Sequence, residues 1–236
     1  DVQQIFGRAG RPGFDTSGEG VIVTEHKKLA HYLSLLTHST PIESQFISCL
    51  ADNLNAEIVL GTVTNVKEGA QWLGYSYLHT RMEKNPLAYG ITWDDVKLDP
   101  GLGEHRRKLV KEAARTLDRA KMIRFDERSG QLYQTEAGRI ASHFYIKQTS
   151  MEMFDEHLKR HMSVPEVFHM VSHAGEFENI SPREDEMPEL ETLRRDKKNA
   201  CPIEVKATLA DKAGKVNLLL QVYISRARME AFSLIA

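Results

Sequence analysis

Cysteine is scarce in this chain: 236 residues hold only Cys49 and Cys201. Two widely separated thiols give no disulfide framework and fit a reducing compartment. Long apolar runs are missing too. No stretch reaches the roughly 18 residues that a membrane span needs, and the longest, residues 218–224, is interrupted by Gln221. There is no signal peptide, and the chain opens on Asp1 rather than Met. Both ends read as cuts through a longer protein, so targeting signals cannot be judged from them. A surplus of charge is also absent. Lys and Arg number 31 against 33 Asp and Glu, a formal net charge of −2. That argues against a uniformly basic, nucleic-acid-coating surface and leaves room only for a local basic groove.

What is present is an ordinary globular composition, 41% hydrophobic and 27% charged. The length suits one large or two small domains, and a chain of this size buries about 70% of its unfolded surface without covalent staples.

Residues 1–20 read as a Gly- and Arg-rich loop. Gly20-Val21-Ile22-Val23 reads as a short buried strand. Thr24 then caps a helix carrying Leu29, Tyr32, Leu33 and Leu36. Loop, strand and helix in that order suit the end of an α/β sheet. Thr40-Pro41-Ile42-Glu43 has the form of a capping box with Pro at the first helical position, followed by a stripe of Ile42, Phe46, Ile47, Leu50 and Leu54. A domain boundary is placed just before Pro41.

Asn65 with Glu68 starts another helix, bearing Trp72, Leu73, Tyr77 and Leu78 and ending at Asn85-Pro86. Asp99-Pro100 starts a third, through Leu102, Leu109, Ala113 and Leu117. Met122 to Phe125 and Gln131 to Tyr133 flank Glu127-Arg128-Ser129-Gly130 as a β-hairpin. Three helices and a hairpin follow the order of a winged helix.

After Thr135 the pattern is helical again: a stripe of Ala137, Ile140, Ala141, Phe144 and Tyr145, another of Met153, Phe154 and Leu158, and a helix over residues 165–177. Residues 178–191 are acidic. Residues 194–215 are the best candidate for a mobile loop. Residues 216–224 read as a buried helix, with a strand possible on length. The expected fold is mainly α with small β. Residues 1–40 are expected to be the end of an α/β domain, 41–135 a winged helix with its hairpin wing, and 136–236 the start of a helical bundle.

One segment carries specific chemistry: Gln4-Ile5-Phe6-Gly7-Arg8-Ala9-Gly10-Arg11. Two arginines three apart on a glycine-permitted turn can present two guanidinium forks to a polyphosphate. An arginine aimed at a transferring γ-phosphoryl group stabilises charge that develops in the transition state. The plainer alternative is a simple Gly/Arg-rich turn. Gln4 in front, Pro12 behind and the apolar run 21–23 favour the chemical reading. No G-x-x-x-x-G-K-[S/T] string occurs, since Gly214-Lys215 is followed by Val216, and no Asp-Glu box has a suitable context. The chain is therefore expected not to hydrolyse ATP by itself.

Gln4 to Pro12, continued by Phe14-Asp15, resembles motif VI of superfamily-two helicases of the superkiller and spliceosomal-unwinding branch. Pro41-Ile42-Glu43-Ser44-Gln45-Phe46 and Leu54-Asn55-Ala56-Glu57-Ile58 resemble the opening of their winged helix. Trp72-Leu73-Gly74-Tyr75-Ser76-Tyr77-Leu78 and Arg81-Met82 follow in the family's order. Asn85-Pro86-Leu87-Ala88-Tyr89-Gly90 tilts the likeness toward the cointegrator-complex branch and away from the spliceosomal small-nuclear-ribonucleoprotein branch. Ala141-Ser142-His143-Phe144-Tyr145-Ile146 and Leu220-Gln221-Val222-Tyr223-Ile224-Ser225-Arg226 match as well.

The resemblance covers nearly the whole chain and residues 194–213 least. It implies two helicase cassettes in the whole protein, 3′-to-5′ movement along single-stranded RNA or DNA, and ATP with Mg²⁺ bound mainly by upstream RecA-like domains. It also implies cointegrator-type partner subunits, roles in alkylated-DNA repair and in clearing collided ribosomes, and residence in nucleus and cytoplasm. In that pattern Arg8 and Arg11 are catalytic arginines, and Gln4, Gly7 and Gly10 line the nucleotide. The chain stops before the expected ratchet helix.

Three other constellations have plainer readings. His157 and His161, and His169 and His173, are four apart, a spacing that can suit zinc on a helix face. No Cys or carboxylate completes a site, and a metal is not expected. Arg106, Arg107, Lys108, Lys111, Arg115, Arg119 and Lys121 give one helix a basic side that could track phosphates. With Glu104, Glu112 and Asp118 interspersed, a solvated face is the favoured reading. Trp72, Tyr75 and Tyr77 could stack on bases, but Trp72 and Tyr77 read as core. Cys49 reads as an inert helical thiol. The functional alternative is a stand-alone winged-helix interaction module without ATPase ties. An upstream P-loop would decide between the two.

Overall fold

The computed structural model describes residues 2–11, 13–37 and 41–235. It divides into two compact units, Asp1–Ser44 and Gln45–Ala236.

In the first unit a short helix α1 (Val2–Phe6) leads through a turn into irregular chain. A 3₁₀ turn His26–Lys28 then runs into helix α2 (Leu29–Leu36). The expected strand at residues 20–23 is not formed. A strand must hydrogen-bond sideways to a neighbour. Among the described residues the only sheet pairs residues 123–126 with 131–134. Val21 and Val23 are instead 77% and 95% exposed. Thr24 does not cap: Glu25 precedes the 3₁₀ turn, without a side-chain bond. The expected helix is present, but Leu29, Leu33 and Leu36 are exposed within this unit.

The second unit opens with a 3₁₀ turn Phe46–Cys49 and helix α3 (Leu50–Leu60), closed by left-handed Gly61. Thr40, the expected cap, lies outside the described residues. Residues 41–45 are not helical. Ile42 is 74% exposed, whereas Leu50 and Leu54 are buried, so apolar contact rewards the helix only from Leu50 on.

Helix α4 (Val66–Leu73) is capped as expected, with Asn65 Oδ1 accepting from Glu68 N at 3.0 Å. The single helix expected to Asn85 is broken at Gly74-Tyr75-Ser76. There Arg106 Nη1 donates to Ala70 O at 2.6 Å and lies against Gly74, where a Cβ would be 2.3 Å from it. Ser76 Oγ then caps helix α5 (Tyr77–Lys84), which ends before Asn85-Pro86. Trp72 is half-buried against Phe46, but Tyr77 is largely exposed and not core, a correction that follows from this break.

A 3₁₀ turn Pro86–Tyr89 leads to helix α6 (Trp93–Leu98), which has a Thr92/Asp95 capping box not read from the sequence. Helix α7 (Gly103–Arg119) starts four residues after Asp99, whose carboxylate accepts from the N–H groups of Gly103, Glu104 and His105. The hairpin is as expected: β1 (Ile123–Asp126) pairs antiparallel with β2 (Gln131–Gln134), with Phe125 opposite Leu132. Gly130, at φ +75°, makes the turn.

Thr135 caps helix α8 (Glu136–Phe144). The stripe expected there is only partly core: Gly138 and Ala141 are buried, while Ile140, Phe144 and Tyr145 are exposed. Helices α9 (Gln148–His157) and α10 (Val164–Val171) follow, the latter with a Ser163/Glu166 capping box. Leu158 lies past the end of α9 and is exposed. The helix expected over 165–177 stops at Val171: His173 N and Ala174 N turn to carbonyls three residues back, and Gly175 N donates to Ser150 Oγ. A 3₁₀ turn Gly175–Phe177 takes up the rest.

Another 3₁₀ turn, Glu184–Glu186, precedes helix α11 (Met187–Arg195). Helices α12 (Lys212–Ser225) and α13 (Phe232–Ile235) complete the order. Residues 216–224 are thus helix, not strand. No described helix is long and apolar enough to cross a membrane.

Two apolar clusters hold this unit together. In one, Leu54, Leu73, Leu78, Met82, Leu117 and Met122 are fully buried among α3, α4, α5 and α7. Helix α8 joins it by close approach. A Cβ on Gly138 would stand 2.0 Å from Met122 O, and Asn55 Nδ2 donates to Gly138 O at 2.9 Å. In the other, α11 and α12 bring Leu190, Leu193, Leu218 and Val222 together with Ala200, Cys201, Val205 and Leu209. Those last four overturn the mobile-loop expectation: the ends of 194–215 lie in α11 and α12, and the irregular chain between, residues 196–211, is pinned at four buried side chains. A buried ion pair, Lys215 with Glu186, adds to this cluster, and Lys215 Nζ also donates to Ser181 O at 2.9 Å.

Candidate arginine turn

Past α1 the chain curls back on itself, with Arg8 N donating to Ile5 O and Ala9 N to Phe6 O, both at 3.0 Å. Gly10 then takes φ +96°, a conformation that a side chain strains. The bend packs against Gly18, where a Cβ would come within 2.2 Å of Ala9 O. Gly7 is not left-handed. The turn therefore demands glycine at 10 and 18, and Gly18 was not singled out from the sequence. Gly20 lies against the Phe6 ring, where a Cβ would be 2.5 Å from the ring edge.

Gln4, Arg8 and Arg11 are all exposed. Arg11 has two local partners. Its backbone N and its Nε both donate to Asp15 Oδ2, at 2.8 and 3.5 Å. Its guanidinium carbon stands 5.9 Å from the centre of the Phe14 ring. The backbone N–H groups of Phe14 and Asp15 both donate to Arg11 O. Asp15 and Phe14 thus hold Arg11 without burying it, since its side chain stays 80% exposed. An exposed ion pair of this sort is weak and yields readily to a more highly charged anion. Asp15 as the orienting partner was missed, although an acid four residues after an arginine is a readable signal.

The arrangement offers phosphate oxygens guanidinium donors and nothing more. Among the described residues no group of three His, Cys, Asp or Glu side chains converges to hold a metal ion. Nucleotide phosphates fit this turn as contacts supplied from one side, and Mg²⁺ finds no ligand set in it.

The basic face of α7 is largely spoken for. Arg106 binds Ala70 O, Arg107 pairs with Glu104, Arg115 with Glu127 and Lys121 with Asp155. The Arg115 hydrogen bond and charge hold the Glu127 carboxyl below its ordinary value. Arg107, Arg115 and Lys121 keep about half or more of their side chains in solvent. His157 ends α9 and Leu158 is extended, so His157 and His161 do not share a helical face as their spacing suggested. Cys49 is exposed and Cys201 buried.

The winged helix-turn-helix domain family matches residues 43–119, and the Sec63 Brl domain family matches residues 134–236. Both fall on the helices just described, and the hairpin lies almost wholly in the gap between the two matches. The Arabidopsis thaliana DExH-box ATP-dependent RNA helicase DExH14 is 61% identical across all 236 residues. Along its whole length the chain thus resembles a segment of such helicases, in keeping with the superkiller and spliceosomal-unwinding likeness of its motifs. Human activating signal cointegrator 1 complex subunit 3 is 53% identical, and the Drosophila melanogaster U5 small nuclear ribonucleoprotein 200 kDa helicase 46%, again over the whole chain. The chain spans 11% of the length of each of these three relatives. These residues therefore correspond to a small part of each relative.

Proposed function

We propose that this chain is part of an ATP-dependent helicase, in which Arg8 and Arg11 reach the phosphates of an ATP held by upstream RecA-like domains. Gln4, Gly7 and Gly10 line the same nucleotide. Residues 1–40 close the second RecA-like domain, 41–135 form the winged helix and 136–236 begin the helical bundle. The observation that carries this reading is the Gln4-to-Arg11 turn. It leaves two arginines in solvent on a bend that only glycine at position 10 adopts without strain. ATP, when bound with Mg²⁺, supplies the phosphoryl group whose transfer releases free energy. The chain's own arginines bind its oxygens and offset charge that grows during transfer.

The full protein would couple that hydrolysis to 3′-to-5′ movement along a single strand. Higher identity to the cointegrator subunit than to the U5 helicase favours a cointegrator-type complex. That points to work in alkylation repair and ribosome clearance, in nucleus and cytoplasm. The test is Arg11→Ala in the full-length protein. Loss of an arginine that meets the γ-phosphoryl group lowers turnover by roughly a thousandfold or more. Wild-type ATP turnover in that variant refutes the assignment.

A further inference from the structure

All four histidines that the spacing singled out line one depression of about 470 Å³. Its walls come from three successive pieces of chain and a fourth farther along it. The end of α9 contributes Glu156 and His157, and the following turn Lys159 and His161. Helix α10 and its exit contribute Glu166, His169 and His173, and the pinned segment 196–211 adds Lys206. Methionines make up the rest of the lining. We propose that this depression is a proton-gated binding site for a phosphoryl-type oxyanion.

The fixed charges nearly cancel: two lysines face two glutamates. Glu166 is turned to its own helix start, where its Oε2 accepts from Ser163 N at 2.8 Å and Ser163 Oγ at 2.7 Å. The imidazoles therefore decide the sign. His157 Nδ1 lies 2.9 Å from Met153 O, and His173 Nδ1 lies 2.8 Å from His169 O. A carbonyl oxygen only accepts, so each Nδ1 carries the hydrogen, and each neutral ring keeps a bare Nε2 lone pair. One added proton turns that acceptor into a charged donor. The His169 and His173 rings sit edge to face with centres 4.6 Å apart. Desolvation, then His173 and then Lys206, keep His169 below its ordinary value. That cationic neighbourhood opposes protonation until an anion offsets it. Proton and oxyanion therefore enter together. A metal is the poorer occupant, because the described residues bring no three ligating side chains to one point.

The test is imidazole C2 hydrogen exchange, read by mass spectrometry on the full-length protein, which titrates each histidine separately. Sulfate is the probe, because its charge stays constant across the range, and sodium chloride at matched ionic strength is the control. Saturating sulfate should raise the His169 and His173 values by about one pH unit, a tenfold linkage for each proton. His26 and His31 should not move. In Lys206→Ala the shift should shrink, and in His169→Gln the His173 shift should fall. Equal shifts at all histidines, or none in the depression, overturn the proposal. A short single-stranded oligonucleotide replaces sulfate in a second arm. A matching shift there assigns the oxyanion to a polymer backbone, and a shift with sulfate alone assigns it to a free anion.

Discussion

Replacing Lys215 by Met should open the α11–α12 pair, and the pH dependence of that opening carries the sharper test. Lys215 and Glu186 side chains are 7% and 1% exposed. Met fills much of the Lys215 volume but leaves a covered carboxylate with its cation gone. Stranding one partner of a buried pair costs about 3–5 kcal/mol. The pair lies close beneath the surface, so the lower figure, about 3 kcal/mol, applies. At 1.4 kcal/mol per decade that is roughly a hundredfold loss of amide protection in α11 and α12, measurable by hydrogen exchange on the full-length protein.

Burial alone would raise the Glu186 carboxyl. The hydrogen bond and charge of Lys215, with the Arg183 N–H, hold it below its ordinary value instead. A depressed carboxyl contributes stability that is present above its unfolded value and is lost as pH falls through its folded value. The wild type therefore weakens only in acid, below about pH 4.5. In Lys215→Met burial is opposed only by the hydrogen bonds from Arg183 N–H and Ser233, the carboxyl rises, and protection should recover as the pH drops from 7 toward 5. The double variant Lys215→Met with Glu186→Leu should regain most of the loss. Equal protection loss in single and double variants, or a pH slope unchanged from wild type, would refute the reasoning.

Gly138→Ala should be among the most damaging small substitutions, at about 3 kcal/mol or more, because the new methyl meets the Met122 carbonyl rather than a movable side chain. A melting temperature within a degree of wild type would contradict it. Arg115→Ala, by contrast, removes an ion pair whose members are both about half exposed, and the melting temperature should stay unchanged within error in physiological salt.

Sequence reading succeeded where the determining forces are local. The Asn65 and Thr135 caps, the stop before Pro86 and the hairpin around Gly130 each depend on residues within a few positions of one another. The 216–224 run also declared itself, because eight of the fourteen residues of α12 are buried. Reading failed where the cause is remote. The break at Gly74 exists because Arg106 crosses there, 32 residues on. The run at 20–23 has strand-forming side chains but no ladder beside it. Residues 196–211 look like solvated loop because Ala200, Cys201, Val205 and Leu209 are spaced too irregularly to give a period. Helix α11 hid in an acidic stretch with only Leu190 and Leu193 as deep anchors. At the arginine turn the spacing of Arg8 and Arg11 was legible. The restraint that Asp15, Phe14 and Gly18 place on it was not, since it emerges only once the loop folds back.

Helix α8 begins where one matched family has ended and the other has just started, yet it is wedged against α3. Asn55 grips the Gly138 carbonyl, and Asp52 receives the Gln148 N–H at 2.6 Å. A seam in the sequence is thus a weld in the solid. The starts of α8 and α9 are both tied to α3 across residue 135.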